Sequence, residues 1–394
     1  MVFYFSPFIM ADAIEYLDLA RGNYSQVVQP FASRQLGALL AAATAHVLHS
    51  SVERGFLIEG IASLIVMAAA VYYLLMQTKA PRWMVLAVAL VPFWGTSLQD
   101  LVLPDLWYSA LLSIMLLFLA SEQLLLASVM MFPLMLSRES TSLTLVCFLI
   151  AAWGVLRWRD RIVAVGSTVA GALVVGHLAA RSQTNVEHLP QAVYMLAKVP
   201  WNFMHNILGL VPWSNVSPSL CSVPAWSMQL RAGPVRSIGV CGFTTNSWEF
   251  LARALLANFG LLPLLLVFLW RRRSKTAKHG VLLKFSLLYG GLSLLLAPLL
   301  GVWFDHLIGY AWPLFLVALP MMFSEFADVA TTARRAMASV AFLCVHVVEI
   351  YCSYHWLWWP QIIIEAVCWI VGYFLLRAWF ADSHGLTQKP QPTS

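Results

Sequence analysis

Residues 55–77 read GFLIEGIASLIVMAAAVYYLLMQ, twenty-three residues with a single charge, Glu59. A helix needs about 20 apolar residues to cross the hydrocarbon core of a bilayer, so this stretch predicts a membrane span. Working outward, comparable runs occur at 162–180, 251–270, 280–302, 307–323, 336–354 and 361–379. Shorter ones occur at 83–98, 106–120, 124–137 and 141–156, and the weakest is 35–49, with His46 and His49 near its end. The whole chain is 60% hydrophobic and 11% charged, with a mean hydropathy of +0.76. Soluble domains carry about 25% charged residues, which excludes a soluble enzyme, a disordered chain and a nucleic-acid binder. The expected fold is all-α: a polytopic bundle of eleven or twelve membrane helices with one long extracytoplasmic loop.

Scarce charge makes its distribution readable. Arg271, Arg272, Arg273, Lys275 and Lys278 form the strongest stop, and positive residues favour the cytoplasmic side. Walking from that run puts Arg157, Arg159, Arg161, Lys79, Arg82, Arg334 and Arg335 on the same side. The pI of about 9.1 therefore reports topology rather than an anionic ligand. Four regions follow: a transmembrane core over 1–180, an outer loop over 181–250 with surface helices, further membrane helices over 251–380, and a disordered cytoplasmic tail over 381–394. Cys221 and Cys241 are the cysteines of the outer loop, where a disulfide closing about 20 residues would stabilise it by roughly 3 kcal/mol. Two unpaired thiols are the alternative.

Four polar segments face the outside on this reading. Asp12, Glu15 and Asp18 recur at helical spacing in ADAIEYLDLARG (11–22), an acidic face that Gly22 ends before Arg34 stands at the mouth of an apolar helix. Asp105 follows Pro104, where an N-cap is the plain structural expectation. Arg138 and Glu139 make a charged turn, and Asp305 and His306 precede Tyr310 and Pro313. An acid to take a hydroxyl proton and an arginine to hold a phosphate make a workable chemical pair. Solvated charge, a local ion pair and loop endings are the bland counterparts. His346 and Glu349 share one helix face inside a span, as an interhelical pair or a proton site.

The order D-x-x-E-Y-x-x-x-A-x-G, P-F-x-x-R-x-L, P-D-L, R-E-S and D-H…Y-x-x-P resembles the GT-C superfamily of polytopic membrane glycosyltransferases. The resemblance covers roughly the first 160 residues and 300–320. It implies transfer of a sugar from a polyprenyl-phosphate donor to an acceptor hydroxyl, with inversion. Asp12, with Glu15 as neighbour or substitute, and Asp105 take the catalytic positions; Arg34, Arg138, His306 and Arg231, and more weakly Arg236, are candidates for the donor phosphate. A divalent Mg or Mn ion, in members that use one, would fall to Asp12 and Asp105. The acceptor is a glycan, a lipid or a protein, and the setting is a bacterial inner membrane with the site facing the periplasm.

The sequence departs from that pattern in three ways. Asp12 follows only eleven residues rather than a full helix, the paired acids are separated, and His306 stands where an arginine is common. No P-loop, GxGxxG after a strand or DxD run is present, which suits a lipid-linked donor rather than a nucleotide sugar. Three apolar segments separate Asp12 from Asp105, so both face outward only if one of them fails to cross; 35–49 is the shortest. The competing readings are a transporter or flippase of lipid-linked saccharides, a polysaccharide polymerase or ligase, and a non-enzymatic partner subunit.

Overall fold

Ser51 caps the decisive helix, its Oγ accepting from the Arg54 N–H at 3.4 Å, and the helix then runs unbroken from Val52 to Gln77. A computed structural model describes residues 11–29, 31–99, 101–183, 198–214, 224–229, 237–244, 246–270, 280–301, 305–324, 333–354 and 358–381. Helices make up 79% of the structure, so the all-helical class holds. The first half contains α1 (Ala11–Ala20), α2 (Gln35–Val47), α3 (Val52–Gln77), α4 (Arg82–Leu90), α5 (Phe93–Gln99), α6 (Pro104–Ala120), α7 (Leu124–Val129), α8 (Met131–Ser137), α9 (Thr141–Ala152) and α10 (Trp158–Ala179). The second half contains α11 (Asn246–Phe259), α12 (Leu262–Trp270), α13 (Gly280–Leu300), α14 (Asp305–Gly309), α15 (Leu319–Ser324), α16 (Ala333–Tyr354) and α17 (Trp358–Ala381).

Five helices are long and apolar enough to cross a membrane: Val52–Gln77, Trp158–Ala179, Gly280–Leu300, Ala333–Cys352 and Ile362–Phe380, as in an integral membrane protein. Five shorter apolar helices accompany them. The expected span 251–270 is divided at Gly260, whose φ of +53° ends α11 and redirects the chain into α12. The expected span 307–323 is likewise composite, with a π-helical turn at Pro313–Ala318 leading into α15.

Residues 181–250, expected as the long loop, hold a helical stretch over 198–207, π-helical from Phe203 to Ile207, and a three-stranded antiparallel sheet of β1 (Leu210–Ser214), β2 (Trp226–Gln229) and β3 (Ser237–Phe243) in the order β1-β3-β2 that the sequence reading did not anticipate. Alternating Ile238 and Val240 with Gly239 suits a central strand, because a side chain at Gly239 would strike the Trp226 backbone. Cys241, on β3, is disulfide-bonded, and Cys147, Cys344, Cys352 and Cys368 are free thiols. Its expected partner Cys221 lies outside the described residues, as do Arg231, Arg236, the basic run 271–279 and the tail from 382.

The placement of α2 decides where the site forms. Gly55 of α3 lies against the Ala41 backbone of α2, Thr44 donates to Glu59 at 3.4 Å, and Gly37 lies against Trp107 at the start of α6. Both halves of α2 thus contact the first third of α3 and the first turn of α6. These contacts with α3 fall on Gly55 and Glu59, both in the first third of that helix. A satellite core of Ala13, Tyr16, Leu17, Val27, Ala38, Ala41, Phe56 and Val102 fixes α1 to that same end. Gln183, just past α10, extends the tie by pairing with Val27 and Gln29.

Candidate functional site: a paired-arginine cavity

Arg34 stands at the N-cap of α2, where its backbone turns from the short helix Phe31–Ser33 into α2. Its guanidinium grips Glu139 with both edges, Nε to Oε2 at 3.1 Å and the second amine to Oε1 at 2.7 Å. The remaining amine donates to the Tyr16 hydroxyl at 2.8 Å, which brings α1 into the arrangement. Burial opposes the Arg34 charge, yet the neighbouring Glu139 outweighs it and holds Arg34 well above the usual arginine range. Burial likewise works against the Glu139 carboxylate, but the facing Arg34 wins and pulls its pKa down to about 2. Burial dominates at Tyr16, which is pushed up to about 12 and stays a neutral hydroxyl.

The next residue back forms a second pair. Arg138 has φ −163°, an extended link between α8 and α9, so consecutive side chains diverge: Glu139 turns to Arg34 and Arg138 to Asp105. Asp105 also accepts from the Tyr310 hydroxyl, and Arg138 donates to that same oxygen with its guanidinium 4.6 Å over the tyrosine ring. Burial disfavours the Arg138 charge, and Asp105 overrides it, raising its pKa. Asp105 is not the N-cap; Leu103 holds that position, and the acid sits in the first turn of α6, where the helix dipole favours a carboxylate.

Both pairs border a cavity of about 270 Å³. Arg34, Arg138, Glu139, Ser140, Ser142 and Lys198 supply its polar side, Tyr289, Ser293 and Tyr310 its hydroxyls, and Leu143, Leu296, Ala297, Leu300 and Leu307 an apolar wall. Three cations, Arg34, Arg138 and Lys198, therefore stand on one side of the cavity with Glu139 and the adjoining Asp105. A space with cationic and hydroxyl donors on one side and hydrocarbon on the other accommodates an anionic head attached to an apolar chain.

Arg34, Arg138 and Asp105 are therefore brought together; Asp12 and Glu15 are not part of the cavity lining. Asp12 is exposed on the first turn of α1 at the same end of the bundle, while Glu15 accepts from the Val28 N–H at 2.9 Å. His306 sits on α14, where only the backbone is described. Asp105 is engaged by Arg138 and Tyr310, and Asp12 is not among the residues that line the cavity. No group of three or more His, Cys, Asp or Glu suited to a metal occurs among the described residues. His346, fully buried, accepts from the Leu261 N–H at 3.1 Å and so links α16 to the start of α12.

Sequence reading missed Tyr16, Lys198 and the partnership of Glu139 with Arg34. Tyr16 was visible as the aromatic in D-x-x-E-Y, and Lys198 as the lysine of 181–250, but no spacing announces that Arg34 meets Glu139, 105 residues away. Comparison with known proteins finds no matching family model, no matching curated protein and no matching solved structure.

Proposed function

We propose that this chain is a membrane glycosyltransferase, similar to the GT-C superfamily, that takes a sugar from a polyprenyl-phosphate donor. The observation that supports it is the convergence of Arg34, Arg138 and Lys198 on one apolar-walled cavity. The donor phosphate lies against these cations, the hydroxyls of Ser140 and Tyr310 add donors, and the prenyl chain follows Leu143, Leu296 and Leu300. An acceptor hydroxyl attacks the anomeric carbon; the bond from that carbon to the phosphate oxygen breaks, and its electron pair leaves with the phosphate. Inversion follows from attack opposite the leaving group. Arg34 and Arg138, held in place by Glu139 and Asp105, stabilise the charge that grows on the phosphate, an effect commonly worth 10²- to 10³-fold per donor.

Asp105, engaged by a cation and a tyrosine, suits a positioning role. Asp12, exposed on α1, suits the general base that takes the acceptor proton, because it is open to an incoming substrate. The basic turns at Lys79–Arg82 and Arg157–Arg161 lie at the far ends of α3 and α10, which agrees with a site on the extracytoplasmic face of a bacterial inner membrane. The test is turnover of a panel of polyprenyl-phosphate sugars by the purified chain, by Asp12→Asn and by Arg138→Gln. Both variants are expected to lose at least about 10²-fold in turnover. Donor that binds and is never cleaved supports the flippase instead, and full activity in Asp12→Asn removes the assigned base.

A further inference from the structure

A lysine carries its charge on a flexible four-carbon stem, so where that charge stands depends on what fixes the backbone beneath it. Lys198 belongs to the helical stretch 198–207, between α10 and β1, and lines the cavity together with Leu296, Ala297 and Leu300 of α13. Two asparagines tie this stretch to α13. Asn202, 1% exposed, donates through Nδ2 to the Leu299 carbonyl at 3.0 Å. Asn206, fully buried, donates to the carbonyls of Pro298 at 2.6 Å and Gly301 at 2.8 Å.

The last four carbonyls of a helix have no partner within it, so this end of α13 needs donors from elsewhere. Side-chain amides supply them from 92 to 97 residues away. The bonds interleave with the cavity wall: Ala297 and Leu300 line it, and Pro298, Leu299 and Gly301 accept from the asparagines. Lys198, Asn202 and Asn206 recur every fourth residue, which stacks them on one helix face. An α-helix drifts by about 80° over eight residues. The wider π turn from Phe203 to Ile207 takes up part of that drift, and both asparagines reach α13. Neither asparagine lines the cavity.

We propose that Asn202 and Asn206 are positioning residues that hold Lys198 against the cavity wall, and that this placement makes the cavity select a prenyl lipid with a phosphate head over the same lipid without charge. The inference rests on the phosphate reading of the cavity given above. Without the asparagine bonds the stretch separates from Pro298–Gly301 and the ammonium leaves with it, while the apolar wall and the two paired arginines stay. A cap that served only the helix end would act on stability alone. Its loss would weaken charged and uncharged lipid alike, with or without the lysine.

The experiment is equilibrium binding of farnesyl phosphate and of farnesol to the full-length protein in one detergent, scored as the ratio of their affinities. The wild type is expected to favour the phosphate by about a hundredfold, and Lys198→Gln to lower that ratio about tenfold. Asn206→Leu, of similar volume and without charge, is expected to lower it about tenfold as well. In the Lys198→Gln background the same substitution should change it by less than about twofold. Asn202→Leu removes one bond where Asn206→Leu removes two, so it should lower the ratio by about threefold, and it serves where the larger change reduces the folded yield. An unchanged ratio in Asn206→Leu overturns the proposal, as does an equal loss with and without Lys198. A wild-type ratio in Lys198→Gln removes the phosphate reading on which the proposal stands. Ratios that behave as expected, with no polyprenyl-phosphate sugar turned over, refute the transferase and leave the asparagine anchor in place.

Discussion

Neutralising Glu139 should destabilise the protein by leaving Arg34 charged and poorly matched. Arg34 makes two hydrogen bonds to Glu139, at 2.7 and 3.1 Å; an amide keeps one acceptor and turns a donor toward the other guanidinium edge, leaving Tyr16 as the second partner. Breaking a fully buried ion pair by removing one partner costs about 3–5 kcal/mol. Here the Arg34 side chain is 13% exposed and that of Glu139 31%, so water recovers part of the loss and about 2–3 kcal/mol is expected for Glu139→Gln. Arg34→Gln should cost a similar amount, and the double substitution should cost much less than the sum, a coupling of about 1.5–2 kcal/mol. Thermal melts of the four proteins in one detergent measure this, each single variant melting on the order of 2–4 °C lower. The acid limb offers an internal check. With a pKa of about 2 when folded, below the ordinary carboxylate value of about 4.3, Glu139 contributes stability that is complete above pH ~4.3 and lost as pH falls through 2. Glu139→Gln should flatten the melting profile between about pH 5 and pH 2. Strictly additive single effects, with coupling under about 0.5 kcal/mol, would refute the paired-cation account.

Two further outcomes follow from packing. Gly55→Ala adds a methyl that strikes the Ala41 carbonyl; the gain of about 1 kcal/mol in helix propensity is outweighed by about 1–3 kcal/mol of overpacking, so the variant should melt lower and lose turnover as α2 shifts Arg34. A higher melting temperature would mean that α2 does not press on α3. Reducing the Cys241 disulfide should speed amide exchange in β1 and β3 while α3 stays protected, because the bond lies on the sheet's central strand. Equal exchange in both redox states would detach the disulfide from the sheet's stability.

The long helices were legible because their signal is local: twenty apolar residues in sequence are twenty apolar residues in space, as 55–77 shows against α3. The shortest expected segment, 35–49, forms α2, only thirteen residues long, and packs against the first turns of α3 and α6. The composite elements were not legible. Residues 251–270 read as one span, yet Gly260 at φ +53° lies where a side chain would collide with the His346 ring, a constraint set 86 residues away. The sheet in the outer loop was hidden for a similar reason, since β1 and β3 are separated in sequence and their strands are short. At the site, residue types were readable and partners were not. Arg34 and Arg138 stood out as rare cations facing outward, but that each is matched to a different acid depends on one extended residue between α8 and α9.

That matching explains how arginines can wait at the apolar end of a membrane bundle. An unpaired guanidinium there would cost several kcal/mol in lost hydration. Glu139 and Asp105 offset most of that cost while fixing both forks in direction, so little reorganisation remains when a phosphate arrives. Lys198 lines the same cavity from the segment after α10, beside Ser140, Ser142 and Tyr310. On the proposed reading, the two arginines define where the phosphate sits, because their directions are set before it arrives, and the charge growing on the leaving group meets donors already in place.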